Sequence, residues 1–276
     1  MQNLTGSWID KSTPAGSVRF DPKQQIPSLQ VLRAIAACAV VYLHASNRVA
    51  LTWGARSALS ESIAYAGNGG VDMFFVLSGF LMAHLHRDQF GAGASLRFFR
   101  RRVIRIVPLY WLLSAIGMIA LLVAPELFSH VHTIDLPWVL GNFLFVPWPQ
   151  PSGHMVHIVM VGWTLDYEMY FYVLFAVAML FRSGLYLLTM AMCASVGIGM
   201  LLHPHHPWLQ LLTSPMLLEF LTGVGLAVLV RRVRASARVG GVVLTIGVAL
   251  LGMGAVVHGP RLWSWGIAKG FEFTRH

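Results

Sequence analysis

Residues 103–124 read VIRIVPLYWLLSAIGMIALLVA, and Arg105 is the single charged side chain in this run. A helix needs about 20 predominantly apolar residues to cross the hydrocarbon core of a bilayer, so the run has the length and composition of a transmembrane helix. Because such runs recur, the pattern predicts an all-α fold, that of a polytopic helical membrane protein with about 7–8 transmembrane helices. The other runs with few or no charges are residues 31–45, 169–181, 185–202, 208–230 and 239–257.

The composition leads to the same class of protein. Of the 276 residues, 56% are hydrophobic and 11% are charged, and the formal net charge is +9. A soluble domain carries about 25% charged residues, so this chain lacks the charges that a water-facing surface requires. The positive charge does not predict a nucleic-acid partner, because the arginines lie between apolar runs rather than on a polar domain. Cys38 and Cys193 both lie inside apolar runs, which argues against a disulfide framework and a zinc ribbon.

The basic residues predict which ends of the spans share a side of the membrane. Residues 137–148 (PWVLGNFLFVPW) are too few to cross and are typical of a re-entrant or interfacial segment. If this segment does not cross, the basic residues near the N-terminus, after the second span, and around Arg182 and Arg231 all fall on one side, as the positive-inside rule requires. We therefore predict a cytoplasmic N-terminus, with residues 125–161 and 203–207 facing outward. The predicted spans are residues 26–47, 68–86, 103–124, 162–181, 184–202, 208–230 and 239–257.

The domain organisation is predicted to be simple. Residues 1–25 are polar and indicate a flexible leader, followed by one transmembrane domain at residues 26–276. The leader has no apolar segment of the kind found in cleavable signal peptides. Residues 51–66 are mildly amphipathic, which is typical of a segment that lies at the membrane interface.

Ionisable side chains inside apolar spans are costly, so they are candidates for function. Arg33 and His44 lie in LRAIAACAVVYLHA, eleven residues apart. This spacing is about three helical turns, so the two side chains are predicted to share a face at different depths. The alternative is that Arg33 extends to the lipid headgroups and His44 lies at the interface.

Two further blocks carry candidate residues. Asp72 lies in GNGGVDMFFVLSGFLM, where it could also serve as a charge at a helix N-terminus, and Ser78 and Gly79 of that block are expected to be packing residues. Arg102 and Arg105 lie in RFFRRRVIRIVPLYW, three residues apart, and therefore point the same way. Such a pair is suited to binding phosphates, although a plain topogenic signal has the same composition.

The block GWTLDYEMYFYVLF places Asp166 and Glu168 on a predicted span that enters from the outer side. Glu168 is then about 9 Å deep, at 1.5 Å per residue. Since His44 also lies near the outer end of its span, we predict that the imidazole and the Glu168 carboxylate meet. A histidine oriented by a carboxylate can act as a general base.

No metal site is predicted. His203, His205 and His206 lie in the sequence HPHHP, and histidines in a proline-interrupted loop are usually solvated.

Four blocks in order, namely Arg33–x₁₀–His44, GVDMFFVLSGFLM, RRRVIRIVPLYW and GWTLDYEMYFYVLF, resemble the membrane acyltransferase-3 family. The chain is most similar to its exopolysaccharide O-acetyltransferase branch. The resemblance implies an O-acyltransferase of the bacterial inner membrane that moves an acyl group, usually acetyl, from cytoplasmic acyl-CoA to a hydroxyl of a cell-envelope or exported polysaccharide or a lipid-linked glycan. The implied partners are acyl-CoA, a carbohydrate acceptor and the lipid bilayer, with acyl-CoA (acetyl-CoA) as co-substrate and no tightly bound cofactor.

The family pattern and the residue chemistry lead to one hypothesis about the site. Arg33, Arg102 and Arg105 are the predicted acyl-CoA-binding residues, which hold the phosphates or the thioester arm from the inner side. His44, oriented by Glu168 or Asp72, is predicted to deprotonate a sugar hydroxyl. A covalent acyl-His44 intermediate is the alternative.

Family members of this type are generally longer and have about ten spans, so the resemblance implies that this chain lacks the last helices of the pattern. Two other functions stay open at the level of the sequence. One is a multispan carrier or flippase for an anionic envelope precursor, because intramembrane charges also mark substrate pathways. The other is an inactive, truncated family member.

Overall fold

The computed structural model of the chain describes residues 27–53, 67, 69–128, 131, 134–150 and 156–232. These ranges contain helices and no strand, and five helical segments in them are long and apolar enough to cross a membrane, so the predicted all-α membrane fold is confirmed. The helices are α1 (Pro27–Trp53), α2 (Gly69–His86), α3 (Ser95–Val123), α4 (Leu136–Leu144), α5 (Gly162–Ala178), α6 (Gly184–Leu202), α7 (Pro207–Leu212) and α8 (Leu217–Arg232), with 3₁₀ turns at Arg87–Gln89 and Pro125–Leu127.

The helices differ from the predicted spans in two places. Helix α3 begins at Ser95, eight residues before the predicted start, because the arginine-rich block continues the helix out of the apolar region and arginine is a good helix former. The predicted span 208–230 is divided into α7 and α8, with Pro215 in the break, where the missing N–H of proline interrupts helical hydrogen bonding. The predicted leader at residues 1–25, the span at 239–257 and nearly all of the interfacial segment lie outside the described residues.

The short helix α4 lies in the connection between α3 and α5 and does not cross the membrane. Asp135 caps this helix by accepting a hydrogen bond of 3.1 Å from the backbone N–H of Trp138. Nine residues give a length of about 13 Å, which is too short to cross a bilayer. Helices α3 and α5 are antiparallel, because Ser95 donates to the carbonyl of Ala176 at one end and Gly117 lies beside Ile158 at the other. The segment that connects them therefore begins and ends at the same end of the bundle, as predicted.

The arginines gather at the other end, which we call the basic end. Phe98 in the first turn of α3 packs against His86 at the end of α2 and Phe175 near the end of α5. The backbone N–H of Gly91 donates to the carbonyl of Met179, with a distance of 2.9 Å. These contacts bring the ends of three helices and their arginines together, which agrees with the predicted sidedness. The described arginines of the basic end are Arg87, Arg97, Arg100, Arg101 and Arg182.

Helices α2 and α8 pack with direct backbone contact. A Cβ added at Gly79 would lie 2.0 Å from the carbonyl oxygen of Phe220, and a Cβ added at Gly223 would lie 1.9 Å from that of Val76. Small residues of this kind let membrane helices approach closely. The rings of Phe75 and Phe220 stack at 4.6 Å beside this contact. The prediction that Gly79 serves packing is confirmed.

Candidate functional site

The carboxylate of Glu168 lies inside the bundle and accepts two hydrogen bonds. Ser78 of α2 donates to Glu168 Oε1 with a distance of 3.3 Å, and the Tyr172 hydroxyl donates to the same oxygen. Ser78 Oγ and the Tyr172 hydroxyl are themselves 3.3 Å apart. Ser78 and Tyr172 are buried and Glu168 is half-buried, so two buried hydroxyl groups hold the carboxylate in place.

Arg102 of α3 completes this group, which we call the central polar cluster (Ser78, Arg102, Glu168 and Tyr172). Its guanidinium carbon lies 5.7 Å from the ring centres of both Phe98 and Tyr172, a distance at which a cation and an aromatic face attract each other. The guanidinium is also close enough to Glu168 for the two charges to interact. Arg102 Nε is buried and donates to no atom among the described residues, so this N–H is available to an oxygen of a ligand.

Helix geometry explains why these side chains meet. Glu168 and Tyr172 are four residues apart on α5 and therefore share a face. That face is directed at the middle of α2, where Ser78 lies, and at the antiparallel helix α3, where Arg102 lies one turn beyond Phe98. Three helices thus contribute to one polar group in an otherwise apolar core.

The cluster unites two residues to which the sequence analysis gave separate roles. Glu168 was predicted to act with His44, and Arg102 was predicted to bind acyl-CoA; in the structure the two lie together. Arg105, one turn further along α3, is exposed and does not join the cluster. The spacing predicts that the side chains of Arg102 and Arg105 point the same way, but only Arg102 packs against the other helices of the bundle.

Arg33 and His44 lie on the face of α1 that packs against the bundle. Both are half-buried, and the same helical stripe includes Ala36, which contacts Gly70 of α2, and Val40, which packs on the core. This agrees with the predicted shared face. Among the described residues, however, His44 makes no bond to Glu168, because that carboxylate is directed at α2 and α3 instead.

Asp72 lies near the start of α2 and faces another carboxyl group. Its charge interacts with that of Glu219 on α8, the helix that packs directly on α2. Glu219 Oε2 is buried and has no hydrogen-bond partner among the described residues. The structure therefore pairs Asp72 with a second acid, and the described contacts include none between Asp72 and His44.

A second buried pair was not predicted. His157, in the loop before α5, lies with Nε2 2.8 Å from Asp166 Oδ2, and the two side chains are only 4% and 1% exposed. Asn142 of α4 accepts from the backbone N–H of Ile158 at 2.9 Å and so holds this loop in place. Asp166 stands out in the sequence but its partner does not, because a histidine in a loop carries no periodic signal.

The loop histidines do not form a metal site within the described residues, where no group of three potential ligands gathers. His206 instead lies against two aromatic rings, those of Trp148 at 6.1 Å and Trp208 at 5.8 Å.

Comparison with known proteins gives a family match and two relatives. The chain matches the acyltransferase domain family over residues 26–268. It is 33% identical over 167 residues to the exopolysaccharide production protein ExoZ of Rhizobium meliloti (strain 1021), a match that covers 57% of this chain and 49% of the relative. It is 28% identical over 130 residues to the peptidoglycan O-acetyltransferase OatA of Listeria monocytogenes serovar 1/2a, covering 45% of this chain and 19% of that protein.

The aligned regions thus span about half of the first relative and about a fifth of the second. No solved structure matches the chain.

Proposed function

Because the chain belongs to the acyltransferase domain family, we propose that it is a multi-pass membrane O-acyltransferase. It transfers an acyl group, with acetyl expected, from acyl-CoA to a hydroxyl of a cell-envelope or exported polysaccharide or a lipid-linked glycan. The relatives support this assignment, since one is named for O-acetylation of peptidoglycan and the other for exopolysaccharide production. The central polar cluster supports it from the chemistry of the site.

The reaction sets three requirements. The acceptor hydroxyl must lose its proton to a base, its oxygen must form a bond to the acyl carbon, and the bond from that carbon to the CoA sulfur must break, after which the thiolate takes up a proton. Negative charge develops on the acyl oxygen as the new bond forms. A fixed positive group at that oxygen stabilises the transition state, and it does so best where water is excluded.

The observation that carries the proposal is the buried Nε atom of the half-buried Arg102 side chain. Its attachment to Tyr172 and Glu168 fixes its place, and its Nε–H is directed to no acceptor among the described residues. In our proposal this N–H donates to the acyl oxygen of the thioester. Glu168 then acts as a positioning residue for Arg102, a role that its observed contacts support better than a partnership with His44.

The remaining predicted residues keep their proposed roles. His44 is the base that removes the proton from the acceptor hydroxyl, Asp72 orients His44, and Arg33 and Arg105 contact the acyl donor. The basic end faces the cytoplasm of a bacterial inner membrane in this proposal, with the N-terminus on the same side. The gathering of arginines at one end of the described bundle supports that orientation.

The test uses the full chain in host membranes, with acetyl-CoA labelled in the acetyl group. Transfer of label to the polysaccharide fraction is compared for the unmodified chain, His44→Ala and the control His203→Ala, whose side chain is exposed in a loop. We expect His44→Ala to lower transfer at least 100-fold, in the range of a lost general base, and His203→Ala to leave it unchanged. Normal transfer by a folded His44→Ala variant overturns the proposed mechanism, and absence of transfer by the unmodified chain overturns the proposed activity.

A further inference from the structure

A cavity of about 250 Å³ opens at the basic end, between the end of α2, the 87–94 connection and the first turns of α3. Complete small-molecule sites usually measure about 300–1,000 Å³, so this cavity has room for one end of a ligand rather than a whole cofactor. The lining residues are His86, Gln89, Ala92, Ala94, Arg97, Phe98 and Arg101.

The lining has the chemistry of an anion site. Arg97 and Arg101 are four residues apart on α3, so both guanidinium groups are on one face of the helix and border the same space. Among the described residues no carboxylate lines the cavity, and the neighbouring Asp88 forms an exposed ion pair with Arg87 at 2.7 Å. Two uncompensated guanidinium groups match a doubly charged phosphate monoester, to which arginine bonds through paired N–H groups.

His86 provides a second, independent indication. Its side chain is buried, and neither ring nitrogen makes a well-formed hydrogen bond within the described part of the chain, although the Gln89 side chain is close enough to interact with the ring. Buried polar groups normally have a hydrogen-bond partner, because a buried donor or acceptor without one costs free energy. Since His86 and Gln89 both line the cavity, a ligand oxygen there would provide that partner.

The position of the cavity relates it to the central polar cluster. Phe98 contacts both: its ring lies 4.9 Å from that of His86 and 5.7 Å from the guanidinium carbon of Arg102. Arg97 and Arg102 are five residues apart, an axial rise of about 7.5 Å. A ligand with an anionic end and a flexible arm could therefore bind in the cavity and extend to Arg102.

We propose that this cavity binds the terminal phosphate monoester of the acyl donor, the 3′-phosphate in the case of acyl-CoA. The inference rests on the proposed function and refines it. Arg97 and Arg101 hold the phosphate, which leaves Arg102 free for the thioester. These two arginines were not among the residues that the sequence analysis assigned to the donor.

The experiment compares two donors, acetyl-CoA and acetyl-dephospho-CoA, which lacks the 3′-phosphate. The full chain is reconstituted in nanodiscs of phosphatidylcholine as the unmodified form, the double variant Arg97→Gln/Arg101→Gln, and the control Arg100→Gln, an exposed arginine of the same turns that does not line the cavity. We expect the double variant to raise KM for acetyl-CoA at least ten-fold with kcat unchanged, because hydrogen bonds between charged groups are lost. KM for acetyl-dephospho-CoA should be unchanged in it, and Arg100→Gln should behave as the unmodified chain.

An equal rise of KM for both donors, or a fall of kcat with KM unchanged, overturns the proposal. A lipid headgroup is the other source of phosphate. If the double variant differs from the unmodified chain only when phosphatidylglycerol is included, and regardless of the 3′-phosphate, the ligand is lipid and the proposal is also overturned.

A binding measurement separates failure of this inference from failure of the proposed function. Adenosine 3′,5′-bisphosphate and adenosine 5′-monophosphate are titrated calorimetrically into the same nanodiscs. Tighter binding of the bisphosphate that is lost in the double variant supports the cavity assignment even if no acetyl transfer is observed. Transfer without any preference for the 3′-phosphate supports the proposed function and overturns the cavity assignment.

Discussion

The guanidinium carbon of Arg102 lies over the ring of Tyr172, 5.7 Å from its centre, and the hydroxyl of that ring donates to Glu168. A single aromatic side chain thereby holds both the cation and the carboxylate of the central polar cluster. The arrangement fixes a half-buried positive charge between the helices, and no atom of the described residues accepts from its Nε–H. Arg102 is therefore placed to interact with a ligand while its own position is set by neighbouring side chains.

Removal of the Tyr172 hydroxyl should impair the reaction while leaving donor binding intact. In Tyr172→Phe the ring still packs on Arg102, but Glu168 loses one of its two observed donors. We expect kcat to fall about ten-fold, the equivalent of one hydrogen bond to a charged group, with KM for acetyl-CoA little changed. Steady-state acetyl transfer in nanodiscs measures both constants. The matched control is Tyr186→Phe, an exposed tyrosine of α6, and an equal loss of kcat in that variant contradicts the prediction.

The His157–Asp166 pair should contribute strongly to stability. Replacing Asp166 with alanine leaves His157 without its partner in a site where both side chains are almost fully buried. Breaking a buried pair of this kind costs about 3–5 kcal/mol, so the apparent unfolding temperature in detergent should fall by several degrees. Asp88→Ala is the control, because it removes the exposed pair with Arg87 and should cost less than about 1 kcal/mol.

A double-mutant cycle with His157→Ala then isolates the interaction itself. Coupled neighbours give interaction free energies of about 0.5–3 kcal/mol, whereas independent sites add. If the two single substitutions add without coupling, the pair does not stabilise the fold.

The contact between α2 and α8 should tolerate no side chain at its glycines. In Gly79→Ala the new methyl group would lie 2.0 Å from a backbone oxygen, so the helices must move apart. We expect a loss of about 1–3 kcal/mol or more, because backbone atoms cannot yield as a flexible side chain can. Gly225→Ala is the matched control on α8, since no atom of another element in the described part of the chain lies within 4 Å of its added Cβ. Thermal unfolding in detergent compares the two, and equal unfolding temperatures exclude the close packing described above.

Much of the architecture could be predicted because it depends on local composition. Apolar runs of sufficient length identify helices α1, α2, α3 and α6, and nine residues in α4 cannot cross a bilayer wherever they are placed. The break between α7 and α8 was not predicted, since a continuous hydropathy window does not register one proline.

The candidate site was predictable only in part. Glu168 stands out in the sequence because a charge inside a predicted span is costly and therefore rarely incidental, and Arg102 stands out because its spacing from Arg105 suits binding of phosphates. Their meeting was not predicted, and neither was the partner of Asp166. Ser78 was interpreted as a packing residue, yet it donates to Glu168.

Composition and spacing alone thus determined that the chain is a helical membrane protein, which segments are helical, and which charges merit a role, because desolvation of charges and backbone groups acts on each segment separately. Only the tertiary structure decided which of those charges meet. The rotation and register of one helix against another depend on close packing, as at Gly79 and Gly223, and this packing directs Glu168 toward Arg102 and opens the arginine-lined cavity at the basic end.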